Sequence, residues 1–150
     1  MTGGYLLDTS VVSALAPGRD MHVPAHVAPW LTDRAHRLYL PCIAVAELAQ
    51  GIAKLRRSGG IERAARLQNW LDGLVAGYAG RILPLDAHVA QVLGEMSDAA
   101  WAAGRHPGFA DVAIAALAQA NRLCLLTRNL KHFEPLGVPC HDPFVCPSPA

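Results

Sequence analysis

Three acidic residues stand where folding alone would not place a charge. Asp8 ends the apolar run Tyr5-Leu6-Leu7. Glu47 interrupts Cys42-Ile43-Ala44-Val45-Ala46-Glu47-Leu48-Ala49. Asp111 opens the apolar stretch that begins Val112-Ala113-Ile114. Each alone has a plain explanation: a carboxylate in the first turn of a helix complements its dipole by about 0.3–1 kcal/mol, and Asp8 would serve simply as an N-cap. Taken together they ask for more. Carboxylates brought to about 4 Å repel by roughly 4 kcal/mol per pair at an effective dielectric near 20. Folding tolerates that only with a cation or a raised pKa. Hard divalent ions take oxygen ligands, and Mg²⁺ keeps several waters beside one or two carboxylates. The expectation is a Mg²⁺ or Mn²⁺ site open to a substrate phosphate, where the ion lowers the pKa of a bound water and offsets charge building on the phosphate. Asp33, Glu62, Asp72, Glu95 and Asp98 lie among polar neighbours and read as solvated faces.

The elements needed to bring the three acids together are legible as pattern. The run ending at Asp8 is short and apolar, as in an inner strand of a parallel sheet, and ligands bind beyond the carboxyl ends of such strands. Thr9 and Ser10 would cap the helix that Val11, Val12 and Leu15 begin. Ala16-Pro17-Gly18 breaks it. Helical spacing returns over 27–36, followed by a strand at Leu38-Tyr39-Leu40 stopped by Pro41. Val45, Leu48, Ile52 and Leu55 then mark a helix over 43–58. Gly59-Gly60 turns it into a second helix over 61–76, a helical hairpin. Ile82-Leu83-Pro84-Leu85 is a third strand candidate, and Asp86 caps a helix over 87–103. A helix over 110–121, a strand over 123–127, a helical turn over 130–133 and an extended piece over 138–141 complete one domain over 1–142. The Pro-rich tail 143–150 is expected to fray. Alternating strands and helices with short connections predict an α/β fold with a small parallel sheet flanked by helices.

Bulk composition narrows the function. The chain has 150 residues, 52% apolar, with a net charge of +1. That suits one globular domain, and it argues against nucleic-acid binding by overall basicity. No stretch reaches membrane-span length, and no basic patch precedes an apolar segment as in a signal peptide. Cys42, Cys124, Cys140 and Cys146 form no Cys-x-x-Cys pair and suit reduced, mostly buried thiols in a cytoplasm. Lys54, Arg56, Arg57, Arg63 and Arg66 gather at the hairpin tip, either as a solvated face or as an edge for phosphates or a protein partner. Pro24 between His22 and His26 spoils a helical metal pair, so both are assigned to a surface loop. His106 reads as a loop histidine that could line the cleft. Trp30, Trp70 and Trp101 read as core.

At four places the chain resembles PIN-domain ribonucleases, and more narrowly the VapC toxins of toxin–antitoxin pairs. Leu6-Leu7-Asp8-Thr9-Ser10 is similar to the family's first acidic motif, Ala44-Val45-Ala46-Glu47-Leu48-Ala49-Gln50-Gly51 to the second, and Ala110-Asp111-Val112-Ala113-Ile114-Ala115-Ala116 to the third. Leu125-Leu126-Thr127-Arg128-Asn129-Leu130-Lys131-His132-Phe133 resembles the segment carrying the fourth acid. The four occur in order and span nearly the whole chain. The resemblance implies a PIN-like fold and a metal-dependent endoribonuclease. In it Asp8, Glu47 and Asp111 hold or activate the ion and its water, Asp8 and Asp111 directly. Thr9, Ser10 and Thr127 give hydrogen-bonding support. It further implies a cytoplasmic toxin, a cognate antitoxin whose peptide fills its groove, and a homodimer. The sequence departs from the pattern at Asn129, where many relatives carry Asp. An amide can still ligate or orient water but removes one negative charge, which favours a one-metal site over a two-metal one. His132 likewise replaces an acid common a few residues further on. Two other readings stay open. One is a catalytically silent PIN-like module that binds RNA or protein. The other is an aspartyl phosphatase, against which Ser10 counts, since such enzymes carry Asp-x-Asp.

Overall fold

In the computed structural model, residues 3–19 and 22–145 are described. The chain opens with β1 (Tyr5–Leu7), α1 (Thr9–Ala14) and α2 (Val27–Asp33). β2 (Leu38–Pro41) leads into the hairpin of α3 (Cys42–Arg57) and α4 (Ile61–Gly77). β3 (Ile82–Leu83), α5 (Ala87–Ala102) and α6 (Phe109–Ala120) follow, then β4 (Cys124–Leu126), α7 (Leu130–Phe133) and β5 (Cys140–His141). All strand pairs are parallel, in the order β3-β2-β1-β4-β5. The expected α/β fold is therefore present, with β1 at its centre.

The strand residues alternate between two cores, as the period of two requires. Leu6 and Leu125 face a cluster with Val89, Ile114, Leu117 and Phe133. Leu7, Leu38, Leu40 and Leu126 face the opposite one, with Val11, Val12, Val27 and Trp30. A sheet covered on both faces needs apolar residues at every strand position. That is why β1 and β4 read as unbroken apolar runs. The helical hairpin has its own small core of Ile52, Ala64 and Leu71. In α6 every residue from Val112 to Ala118 is buried. Its alanines let α5 and the sheet approach closely, and Asp111 is the one charge it carries.

Strand order explains where the site lies. The chain builds outward from β1 through β2 to β3, then returns to place β4 and β5 on the other side of β1. The order reverses between β1 and β4, so a crevice opens beyond their carboxyl ends. Asp8 follows β1 there, and Thr127 follows β4.

Several boundaries differ from expectation for identifiable reasons. β3 stops at Leu83 because Pro84 has no N–H to extend the ladder. The helix expected over 27–36 ends at Asp33 and continues as a 3₁₀ turn, Ala35–Arg37. Asp86 does cap α5, its Oδ1 accepting the Val89 N–H at 2.9 Å. Thr9 and Ser10 do not cap α1; they are its first two residues. Trp30 is buried and Trp70 half-buried, but Trp101 is 63% exposed: it lies one residue, about 100° around the helix, from the buried Ala100, so α5 turns Ala100 inward and Trp101 out. Of the tail, residues 146–150, Cys146 included, lie outside the described residues. Its start is held: the His26 ring Nε2 bonds the Pro143 carbonyl at 2.9 Å, and Arg128 lies 4.6 Å over the Phe144 ring. Among the described residues the cysteines are unpaired, with Cys124 buried and Cys42 and Cys140 half-buried. No helix among them is long and apolar enough to cross a membrane.

Gly4 marks a close approach. A Cβ there would meet the Arg37 carbonyl oxygen at 2.5 Å, while the Gly4 carbonyl accepts the Cys124 N–H at 3.1 Å. Backbone packed on both sides cannot shift freely, so Gly4→Ala should cost about 2 kcal/mol. For a chain of this size that lowers Tm by roughly 4–8 °C, as read by calorimetry.

Candidate active site

Asp8 is the first residue after β1, with backbone φ and ψ of −66° and 152°. It occupies the N-cap position of α1, and its carbonyl accepts from the Val11 and Val12 N–H groups at 3.0 and 3.2 Å. Its side chain, however, makes no capping bond. It turns instead to two hydroxyls. Ser10 Oγ and Thr127 Oγ1 both donate to Asp8 Oδ2, at 2.7 and 2.8 Å. Each hydroxyl is itself satisfied: the Arg128 N–H donates to Ser10 Oγ at 3.1 Å, and the Asn129 N–H donates to Thr127 Oγ1 at 3.0 Å. The Asp8 N–H, in turn, donates to the Leu126 carbonyl at 2.9 Å. The end of β1 is thus stitched to the loop after β4. Asp8 is only 4% exposed and Thr127 fully buried. Among the described residues nothing donates to Asp8 Oδ1, so a buried carboxylate keeps one oxygen for an added partner.

Glu47 lies on the exposed side of α3, just past its first turn, and is held by a residue of another helix. Thr9 Oγ1, at the start of α1, donates to Glu47 Oε1 at 2.7 Å. Glu47 is therefore linked to the Asp8 loop through the residue that follows Asp8. Asp111, in the first turn of α6, is partly covered. Burial pushes its carboxyl above the ordinary value of 3.8; the His132 ring opposes this and the Asp8 charge adds to it. His132 Nδ1 lies 3.3 Å from Asp111 Oδ2. Asn129 is exposed and sits at the N-cap of α7, where its side chain makes no capping bond; its backbone N–H is what supports Thr127.

Asp8 and Asp111 thus lie within each other's field, while Glu47 joins them through Thr9. The His132–Asp111 contact had no local signal in the sequence, since the two are 21 positions apart. Among the described residues no three His, Cys, Asp or Glu side chains group tightly enough to cage a metal ion. The donor set still suits a hard divalent cation. Its oxygens are carboxylate oxygens, one buried carboxylate has an unused atom, and a second is disfavoured as an anion by its surroundings. Mg²⁺ needs only one or two direct carboxylates and completes its shell with water.

Two clefts adjoin the acids. One, of about 490 Å³, runs from Thr9 and Glu47 between α3 and α4 past Leu48, Ile52, Leu55 and Trp70, with Arg19 and Arg63 on its rim. The other, of about 390 Å³, holds Asp111, His132, Lys131, Arg105 and His106. The hairpin-tip cations are all exposed; Lys54 and Arg57 border a further groove that begins at Glu47. His22 lies exposed in the loop before α2.

The family model for the PIN domain matches residues 5–135. The chain is 35% identical over 140 residues to the plasmid stability protein StbB of Pseudomonas syringae pv. tomato, covering 93% of this chain and 97% of that one. It is 32% identical over 141 residues to the VapC ribonuclease Y4jK of Sinorhizobium fredii, covering 93% and 96%. It is 33% identical over 141 residues to toxin FitB of Neisseria gonorrhoeae, covering 93% and 97%. Among solved structures, FitAcB from Neisseria gonorrhoeae superposes with a TM-score of 0.81 at 33% identity, covering 93% of this chain and 97% of that one.

The raised Asp111 pKa has a definite sign. The folded chain holds that proton more tightly than the unfolded chain, so Asp111 costs stability above its folded pKa. The cost fades as pH falls through that pKa toward 3.8. In chelator, Asp111→Asn should therefore melt at or above the parent at pH 7, with the gap closing on acidification. A variant that melts lower at pH 7 would show the carboxylate to be net stabilising.

Proposed function

The chain belongs to the PIN-domain family, and from that premise we propose that it is a metal-dependent endoribonuclease, the toxin of a toxin–antitoxin pair. The VapC ribonuclease and FitB toxin relatives support this over 93% of the chain. The observation that carries it is Asp8: a buried carboxylate at the switch point of the sheet, with one oxygen fixed by two hydroxyls, the other without a donor, and Asp111 close enough to feel its charge.

Asp8 and Asp111 would hold a Mg²⁺ or Mn²⁺ ion, and Glu47 would hold or activate the attacking water. The ion, when bound, makes a water acidic enough to attack phosphorus and offsets charge on the phosphate oxygens. Ser10 and Thr127 fix the Asp8 carboxylate so that it need not reorganise. Thr9 aims Glu47. Asn129 supplies a neutral amide, so one ion is preferred to two. The working unit is a nuclease domain over 1–142, with the first residues of the tail 143–150 packed on it, acting as a homodimer in the cytoplasm. A cognate antitoxin would silence it by laying an apolar segment in the 490 Å³ cleft, whose mouth includes Thr9 and Glu47.

The test is cleavage of a mixed structured RNA pool by purified protein in Mg²⁺, in Mn²⁺ and in chelator. Cutting should require the ion and fall to background in Asp8→Ala. Full activity in a clean Asp8→Ala preparation would sink the site assignment. No cutting by the parent under any condition, with no Mn²⁺-induced rise in Tm, would favour a silent binding module. Ser10→Ala and Thr127→Val, which touch only the support of Asp8, should lower activity by about 10–100-fold, whereas Asn129→Asp should leave it equal or raised.

A further inference from the structure

The cleft that holds Asp111 has a far wall with no task in the reaction. His106 lies on it, exposed, and packs edge-to-face against Trp101, with ring centroids 4.1 Å apart and planes at 73°. Trp101 is 63% exposed. An indole is the largest apolar side chain available, and this one is spent at the end of α5 on water rather than on the core. An edge-to-face pair leaves a π face uncovered. Arg105 is anchored by its bond to the Pro135 carbonyl at 2.9 Å, which fixes the loop that carries His106. Neither Arg105 nor Lys131 pairs with a carboxylate among the described residues. His106, Arg105 and Lys131 therefore line one cleft with Asp111, and Trp101 backs His106 at its edge.

We propose that Trp101 and His106 form a stacking platform for an unpaired base next to the scissile phosphate, with Arg105 and Lys131 meeting the flanking phosphates. Single-stranded nucleic acid is held in this way, by aromatic faces under the bases and cations along the backbone. The inference rests on the nuclease reading above.

The experiment measures binding by fluorescence anisotropy in the Asp8→Ala background, where cutting does not interfere. The probes are a labelled single-stranded RNA pool and an abasic strand of the same length. Trp101→Ala and His106→Ala should each weaken binding of the base-bearing pool, by about five- to a hundredfold, and leave the abasic strand unchanged. Trp101→Phe should keep most of the affinity. With Asp8 restored, Trp101→Ala should raise KM with little change in kcat. Equal losses on both probes, or none on either, would overturn the platform. So would Trp101→Ala converting a dimer to a monomer in sedimentation while base-dependent binding persists. These outcomes are separable from failure of the nuclease reading. A parent that cuts RNA while Trp101→Ala binds normally overturns the platform alone; a parent that neither cuts nor binds RNA overturns both.

Discussion

A carboxylate buried to 4% exposure must be compensated, and the rest of the site is built from that compensation. An unpaired buried charge costs several kcal/mol. Here two hydroxyls donate to one oxygen of Asp8, and each hydroxyl receives a backbone N–H from the loop after β4. Ser and Thr suit this role because a hydroxyl donates and accepts at once. The arrangement fixes the carboxylate without neutralising it. Its negative charge remains, and Asp111 registers that charge.

The same logic accounts for the strand order. A parallel sheet that reverses at its centre leaves two neighbouring strand ends with no connection passing over them. β1 delivers Asp8 to that gap and β4 delivers Thr127. α6 delivers Asp111 from above, and its otherwise apolar length, buried between α5 and the sheet, holds its first turn in place. Packed elements thus carry Asp8 and Asp111, while the loop Arg105-His106-Pro107-Gly108 is left to face whatever enters.

Much of this was legible in the sequence, and the exceptions have physical causes. The central strand was readable because burial on both faces forces an unbroken apolar run. Asp8, Glu47 and Asp111 could be singled out because each is a solitary charge in such surroundings. The strand order was not readable, since parallel neighbours leave no local mark. Thr9 and Ser10 suggest caps because their preferences at helix starts are strong; the distant Glu47 and the neighbouring Asp8 carboxylate take their hydroxyls instead. The His132–Asp111 contact joins α7 to α6 and has no signature of spacing. Trp101 is one residue off the buried face of α5, which Val89 and Ala100 mark, and an apolar side chain that close to the core reads as core in the sequence.

The stitching of β1 to β4 also sets an order of events in time. Thr127 and Asp8 are 119 positions apart, so Asp8 leaves the ribosome long before its partner does. Until the β4 segment emerges, β1 lacks one of its two neighbours, and Asp8 has no buried seat. Non-local pairings of this kind also form late in folding, because loop closure must precede them. A nascent chain therefore carries Asp8 and Glu47 long before it can arrange them, and the buried seat of Asp8 forms only once α6 and β4 have been made.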